Sequence, residues 1–214
     1  MCELSPFLRI CICTFLCFTG LMNQVNAQEN KAYFSWNDYR KANGRLLGDS
    51  LILKKRTIGE IMAYKGNDYE FFNIDNRVNI NDCFAIRYQG IDYIQGKALN
   101  TGKDFAKVVF RGQQYMVVYA AITEQKRDDF EELDLLYQIS ERFSRELEGE
   151  LNKNRYYYLI SLKKKKLKLL ELNPDNMRKL LKSKGSMYQE YVKDPNRNDP
   201  ERIIYYISKI DRED

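Results

Sequence analysis

Apolar and polar positions alternate in short runs through the first half of the chain. They shift to a three-to-four spacing in the middle, then return to alternation before a helical end. Runs at Leu51–Lys55, Glu60–Tyr64, Asp68–Phe72, Cys83–Tyr88, Ile91–Ile94, Lys107–Phe110 and Tyr115–Ile122 are bounded by turn formers and predict short strands. Gln89-Gly90 and Arg111-Gly112-Gln113-Gln114 separate neighbouring runs and predict two hairpins. Strands at this spacing predict an antiparallel sheet curled into a small sandwich or barrel-like domain over residues 28–123. Ahead of it, Ser35-Trp36-Asn37-Asp38 has capping-box spacing and predicts a short helix through Tyr39-Arg40-Lys41, stopped by Gly44 and Gly48.

Between residues 124 and 153 the period changes. Phe130, Leu133, Leu136, Tyr137, Phe143, Leu147 and Leu151 recur mostly at spacings of three, four or seven, which predicts an amphipathic connecting helix over Asp128–Leu151. Residues 154–214 then read as a β-hairpin plus C-terminal helices. Arg155–Leu162 and Leu167–Leu172 flank a tip of four lysines, Lys163 to Lys166, whose like charges keep it solvated and give it a second use against anionic surfaces. Asn173-Pro174 and Asp199-Pro200 each set an N-cap before a proline and open helices; a third, around Met187, Tyr188, Tyr191 and Val192, follows Gly185. Ile203, Ile204, Ile207 and Ile210 form the apolar stripe of the last helix. The fold class is therefore α+β.

Residues 1–27 change the picture of where the chain works. Arg9 precedes an apolar run from Ile10 to Met22, and Val25-Asn26-Ala27 supplies the small-residue pattern of a signal peptide cleaved after Ala27. The run spans about 20 Å at helical rise, short of a hydrocarbon core of about 30 Å. The expectation is export to the periplasm or beyond, with no membrane span left after cleavage. Cys2, Cys11, Cys13 and Cys17 would leave with the leader, so the mature chain keeps Cys83 alone and has no disulfide. Cys83 sits in an apolar strand and reads as a small buried hydrophobe.

Candidate chemistry is sparse. The chain has no histidine, which excludes Ser-His and Cys-His catalysis and histidine zinc motifs. The net charge of +5 is spread over interspersed charges of both signs, which argues against a nucleic-acid surface. Gly96 to Lys103 loosely imitates a phosphate loop, but its spacing is off, Asp104 stands where Ser or Thr is required, and a strand follows. Asn73, Asp75, Asn76, Asn79, Asn81 and Asp82 offer oxygens for calcium, yet, counted from Asp75, Ile80 and Ile86 occupy the positions where an EF-hand needs Gly and Glu. Asp128, Asp129, Glu131 and Glu132 complement a helix N-terminus better than they make an acid–base pair. Tyr156, Tyr157 and Tyr158 offer an aromatic surface for glycans, although strand alternation sends them to both faces. No catalytic, cofactor-binding or metal-binding residue is assigned, and no cofactor is expected.

The leader, the Tyr33-Phe34-Ser35-Trp36-Asn37-Asp38-Tyr39 entry helix, the hairpin from Phe84-Ala85-Ile86 to Tyr93-Ile94, and the Tyr157–Leu162 hairpin before Leu180-Leu181 together resemble uncharacterised exported proteins of Bacteroides-type bacteria. The resemblance implies a periplasmic or secreted α+β protein and carries over no activity and no site residues. The leading expectation is a non-enzymatic envelope protein that binds a partner or ligand, an envelope protein or a glycan. The alternatives are a carboxylate-based hydrolase of glycans or envelope polymers, and an oligomeric component built through the Asp128–Leu151 helix.

Overall fold

The computed structural model describes residues 29–49, 51–57, 60, 66–73, 78–121 and 155–213. The leader and the amphipathic helix expected over Asp128–Leu151, with Asp128, Asp129, Glu131 and Glu132, lie outside them. Among the described residues, ten strands form one antiparallel sheet: β1 (Asn30–Tyr33), β2 (Arg45–Leu47), β3 (Leu51–Lys55), β4 (Tyr69–Asn73), β5 (Ala85–Tyr88), β6 (Ile91–Gln95), β7 (Phe105–Arg111), β8 (Tyr115–Ala121), β9 (Arg155–Ser161) and β10 (Leu169–Glu171). The helices are α1 (Trp36–Arg40), α2 (Gly96–Leu99), α3 (Pro174–Leu181), α4 (Ser186–Lys193) and α5 (Pro200–Glu213), with a 3-10 turn at Ile80–Asp82. The α+β class and both predicted hairpins are present.

The main path runs β10-β9-β8-β7-β6-β5-β1-β2 and stays open. The β3–β4 hairpin branches from it where Tyr69 pairs with Phe105. β8 and β9 pair from Tyr115↔Ser161 to Ala121↔Arg155, so the C-terminal hairpin extends the sheet of the first half. The sheet curls. On one face, Tyr33 of β1 and Ile160 of β9 fall in a single apolar cluster with Ile94, Met116, Val118 and Tyr158. α1 closes that curl: Trp36 Nε1 donates to the Lys164 carbonyl (3.1 Å) and Arg40 Nη1 to the Lys163 carbonyl (3.3 Å). The other face is covered in two places. The β3–β4 hairpin lays Leu51 and Phe71 on Ile86, Tyr93 and Phe105. The C-terminal helices lay Met177, Leu181, Tyr191 and Ile207 on Val117 and Leu159.

Local sequence explains most of these elements. Ser35 caps α1 through its side chain, and Asn173 caps α3 ahead of Pro174. The buried stripe of α5 is Ile203, Tyr206, Ile207 and Ile210, with Ile204 only half-buried beside it. Full burial of each aliphatic side chain contributes about 1.5–3 kcal/mol. No helix among the described residues is long and apolar enough to cross a membrane.

Three elements depart from the expectation. β1 and the three-residue β2 were not predicted; four and three residues carry too little alternation, and β2 sits between Gly44 and Gly48. The strand expected over Glu60–Tyr64 falls mostly outside the described residues, and at Glu60 the backbone is helical. Thr57 and Glu60 explain that turn: the Thr57 N–H donates to Glu60 Oε2 (2.9 Å) and the Glu60 N–H to Thr57 Oγ1 (3.4 Å), a reciprocal capping box.

Two buried polar side chains fasten loops to this frame. Asn67 accepts from the Ala121 N–H (2.9 Å) and donates to Thr101 Oγ1 and the Lys103 carbonyl (both 3.1 Å), clamping the α2 loop against the end of β8. Asp211 of α5 accepts from the N–H groups of Gln113, Gln114 and Tyr115, each at 2.8 Å, and so anchors the last helix to the β7–β8 turn. Gly112 makes room for that carboxylate, since a Cβ there would lie 2.2 Å from Asp211 Oδ2.

Substituting Asp211→Ala strands three backbone donors beneath α5 and costs at least about 3 kcal/mol in urea unfolding; Gly112→Ala destabilises in the same direction by displacing the carboxylate. Tyr191 gives the opposite result. Its hydroxyl is buried without a hydrogen-bond partner, while its ring packs edge-on against Tyr206 at 5.2 Å. Tyr191→Phe keeps the ring contact and holds or raises the melting temperature. Tyr206→Phe, which removes a 2.9 Å bond to Asp194, lowers it.

Candidate functional site

The β5–β6 turn sets the site. Gln89 and Gly90 both take positive φ, 49° and 79°, the two-residue hairpin geometry that suits the twist of paired strands. That register places Arg87 opposite Asp92, and Lys31 of β1 opposite Arg87. Directly opposed residues share a face, so the three side chains form a row on the inner side of the curl, beside Ala85 and Ile94. Arg111 joins the row from the end of β7, after a register shift between Val108 and Phe110. Tyr39 reaches it from α1, held in an aromatic group with Tyr33, Trp36 and Phe84.

Asp92 is the hub. Its side chain is 4% exposed. Arg87 grips it with two bonds, Nε to Oδ1 at 2.7 Å and Nη2 to Oδ2 at 3.0 Å. Arg111 Nη1 and the Tyr39 hydroxyl each donate to Oδ2 at 2.8 Å. Of these four bonds, three converge on Oδ2 and one falls on Oδ1. Burial alone would raise the Asp92 pKa; the bonds from Arg87 and Tyr39 and the charges of Arg87 and Arg111 outweigh it and hold the group below its ordinary value. Burial, reinforced by the Asp92 charge, pushes the Tyr39 phenol well above its ordinary value. The bonds and charge of Asp92 raise the Arg87 pKa. Across the working pH range the cluster thus holds an ionised carboxylate, a protonated phenol and two guanidiniums.

The arginines are unlike Asp92 in exposure. The Arg87 side chain is 31% and the Arg111 side chain 27% exposed, and Arg111 lies over the Tyr39 ring at 4.3 Å. The β5–β6, β7–β8 and β9–β10 turns share this end of the sheet, because antiparallel strands turn at alternate ends. The exposed lysines of the β9–β10 tip, fastened to α1, therefore stand at the same end as Arg87 and Arg111.

The other candidate residues are spent on structure. Cys83 is buried with its thiol pushed up to about 11 by desolvation, and then by Asp82. In the Gly96–Lys103 loop, Asn67 fills the concavity a phosphate would need: a Cβ on Gly96 would lie 2.2 Å from its amide nitrogen. Asn79 caps the 3-10 turn and bonds Asp82 at 2.9 Å, and Asp75 and Asn76 lie outside the described residues. No group of three or more carboxylate or thiol side chains that could hold a metal ion occurs among the described residues. Tyr158 is buried and Tyr156 half-buried in the inner cluster, while Tyr157 packs on Tyr119 at 4.8 Å on the other face. The Asp92 cluster itself was not among the predicted sites. Its signal was present in part: a two-residue turn at Gln89-Gly90 forces Arg87 and Asp92 into an opposed, oppositely charged pair.

A family model described as a family of unknown function, DUF6563, matches residues 31–214. No curated protein and no solved structure matches the chain.

Replacing the hub by Asp92→Asn leaves two guanidiniums uncompensated beside a buried site and costs about 3–5 kcal/mol at neutral pH. Because the folded chain holds Asp92 below its ordinary value of 3.8, this contribution is fully present above that value. The stability difference between wild type and variant therefore stays constant from pH 7 to pH 5 in urea titrations and shrinks only as pH falls through 3.8 and below.

Proposed function

This chain belongs to the DUF6563 family, a family of unknown function, and we propose that it is an exported, non-enzymatic envelope protein that binds a partner or ligand at the charged end of its sheet. The leader-like residues 1–27 and the resemblance to exported Bacteroides-type proteins support the compartment. One observation carries the binding reading: the cluster presents fixed positive charge while its acid and base are already committed. Asp92 is almost wholly buried, held ionised and already bonded by three side chains, and Tyr39 holds its proton. General acid–base work needs a group poised near the working pH. A carboxylate hydrolase would need a second, facing carboxylate, and Asp92 is bonded to arginines and a tyrosine instead. What the site retains is the ability to hold something.

Two measurements test this reading. N-terminal sequencing of the protein recovered from periplasm and medium should begin at Gln28; an intact Met1 end in the cytoplasm would refute export. A photo-crosslinking residue placed at Gln89, beside the cluster, should capture a defined envelope component that the same residue at Ser183, beyond α3, does not. Equal capture at both positions, or none at either, would refute the binding reading.

A further inference from the structure

We propose that the charged end of the sheet is an oxyanion site, in which Arg87 and Arg111 hold a phosphate or carboxylate group. This rests on the binding reading above and names its ligand class. A guanidinium carries five N–H donors. Arg87 spends Nε and Nη2 on Asp92, and Arg111 spends Nη1. The other N–H donors of both guanidiniums are not spent on Asp92, and both side chains reach solvent. Two guanidiniums share the single carboxylate of Asp92, so the three groups together carry net positive charge. Lys31, ion-paired with solvent-exposed Glu29 at 3.0 Å, stands in the same row.

The geometry is also prepared in advance. Asp92 holds the Arg87 fork by two bonds, and the Tyr39 ring supports the flat face of Arg111 at 4.3 Å. An arginine fixed before binding loses little freedom when a ligand arrives, and its planar fork matches the paired oxygens of carboxylate and phosphate. Asp92 thus acts as a positioning residue, and the two arginines make the contact. The lysine tip adds long-range attraction at the same end without a fixed geometry of its own.

The test is a titration of the purified protein with inorganic phosphate at low ionic strength, read on the arginine Nε–Hε resonances. Saturable shifts at Arg111 and Arg87 are expected. Arg111→Gln should weaken binding at least tenfold. Arg111→Lys, which keeps the charge pair with Asp92 and guards against misfolding, should weaken it several-fold. Gln replacement of Lys163 to Lys166 should slow association and leave the arginine shifts in place. Unchanged affinity in both Arg111 variants, or shifts confined to the lysine tip, would overturn the assignment. Flotation with phosphatidylglycerol vesicles but not phosphatidylcholine vesicles, lost in Arg111→Gln, identifies a lipid headgroup as the source of the oxyanion. Phosphate binding without flotation identifies a soluble anion. If phosphate produces no saturable shift while the Gln89 crosslink persists, the oxyanion assignment falls and the partner reading stands; loss of both removes both.

Discussion

A buried carboxylate gripped by two arginines and a tyrosine is the constraint around which the working end of this protein is organised. Asp92 draws together β5, β6, the end of β7 and helix α1, four pieces of chain that the sheet alone would leave independent at their tips. Removing a carboxylate from water is costly, and the cost is offset only where several donors converge with good geometry. Here four hydrogen bonds from three side chains converge on it. The electrostatics then have a direction: the negative charge is consumed inside, and the remaining positive charge faces outward.

The same device recurs wherever the curled sheet would otherwise be open. Asp211 collects three backbone N–H groups of the β7–β8 turn from the far end of the last helix. Asn67 saturates its amide across the α2 loop and β8. An open antiparallel sheet has frayed ends and unpaired edges. Polar clamps at its turns hold the curl without a closing strand, while the apolar clusters on both faces supply the bulk of the stability. Cys83 belongs to that apolar share; its buried, hard-to-ionise thiol is a packing group and not a reactive one.

How much of this was legible in the sequence depends on the range of the interactions. Alternation around Gln89-Gly90 and Gly112 located two hairpins, and the caps at Ser35, Asn173 and Asp199 marked three helices, because those signals are local. β2 escaped because three residues between Gly44 and Gly48 carry too little pattern. The Thr57–Glu60 capping box was readable but led into an apolar run that looked like a strand. Arg87 opposite Asp92 followed from the turn length and was overlooked. Arg111 did not follow: the shift between Val108 and Phe110 breaks the count along β7, so its place at Asp92 exists only in the folded chain. Tyr39 likewise reaches Asp92 across 53 positions of sequence. The leader-like pattern of residues 1–27 stands apart, since it lies outside the described residues.

The central claim is that Asp92 stays ionised inside the fold and orients the arginines that face outward. The most direct measurement is the titration of its side-chain carboxyl carbon by NMR in the folded protein. The account predicts a midpoint below the ordinary aspartate value, with the Arg87 and Arg111 Nε–Hε signals shifting at that same midpoint. A midpoint at or above the ordinary value, or arginine signals indifferent to it, would contradict the account.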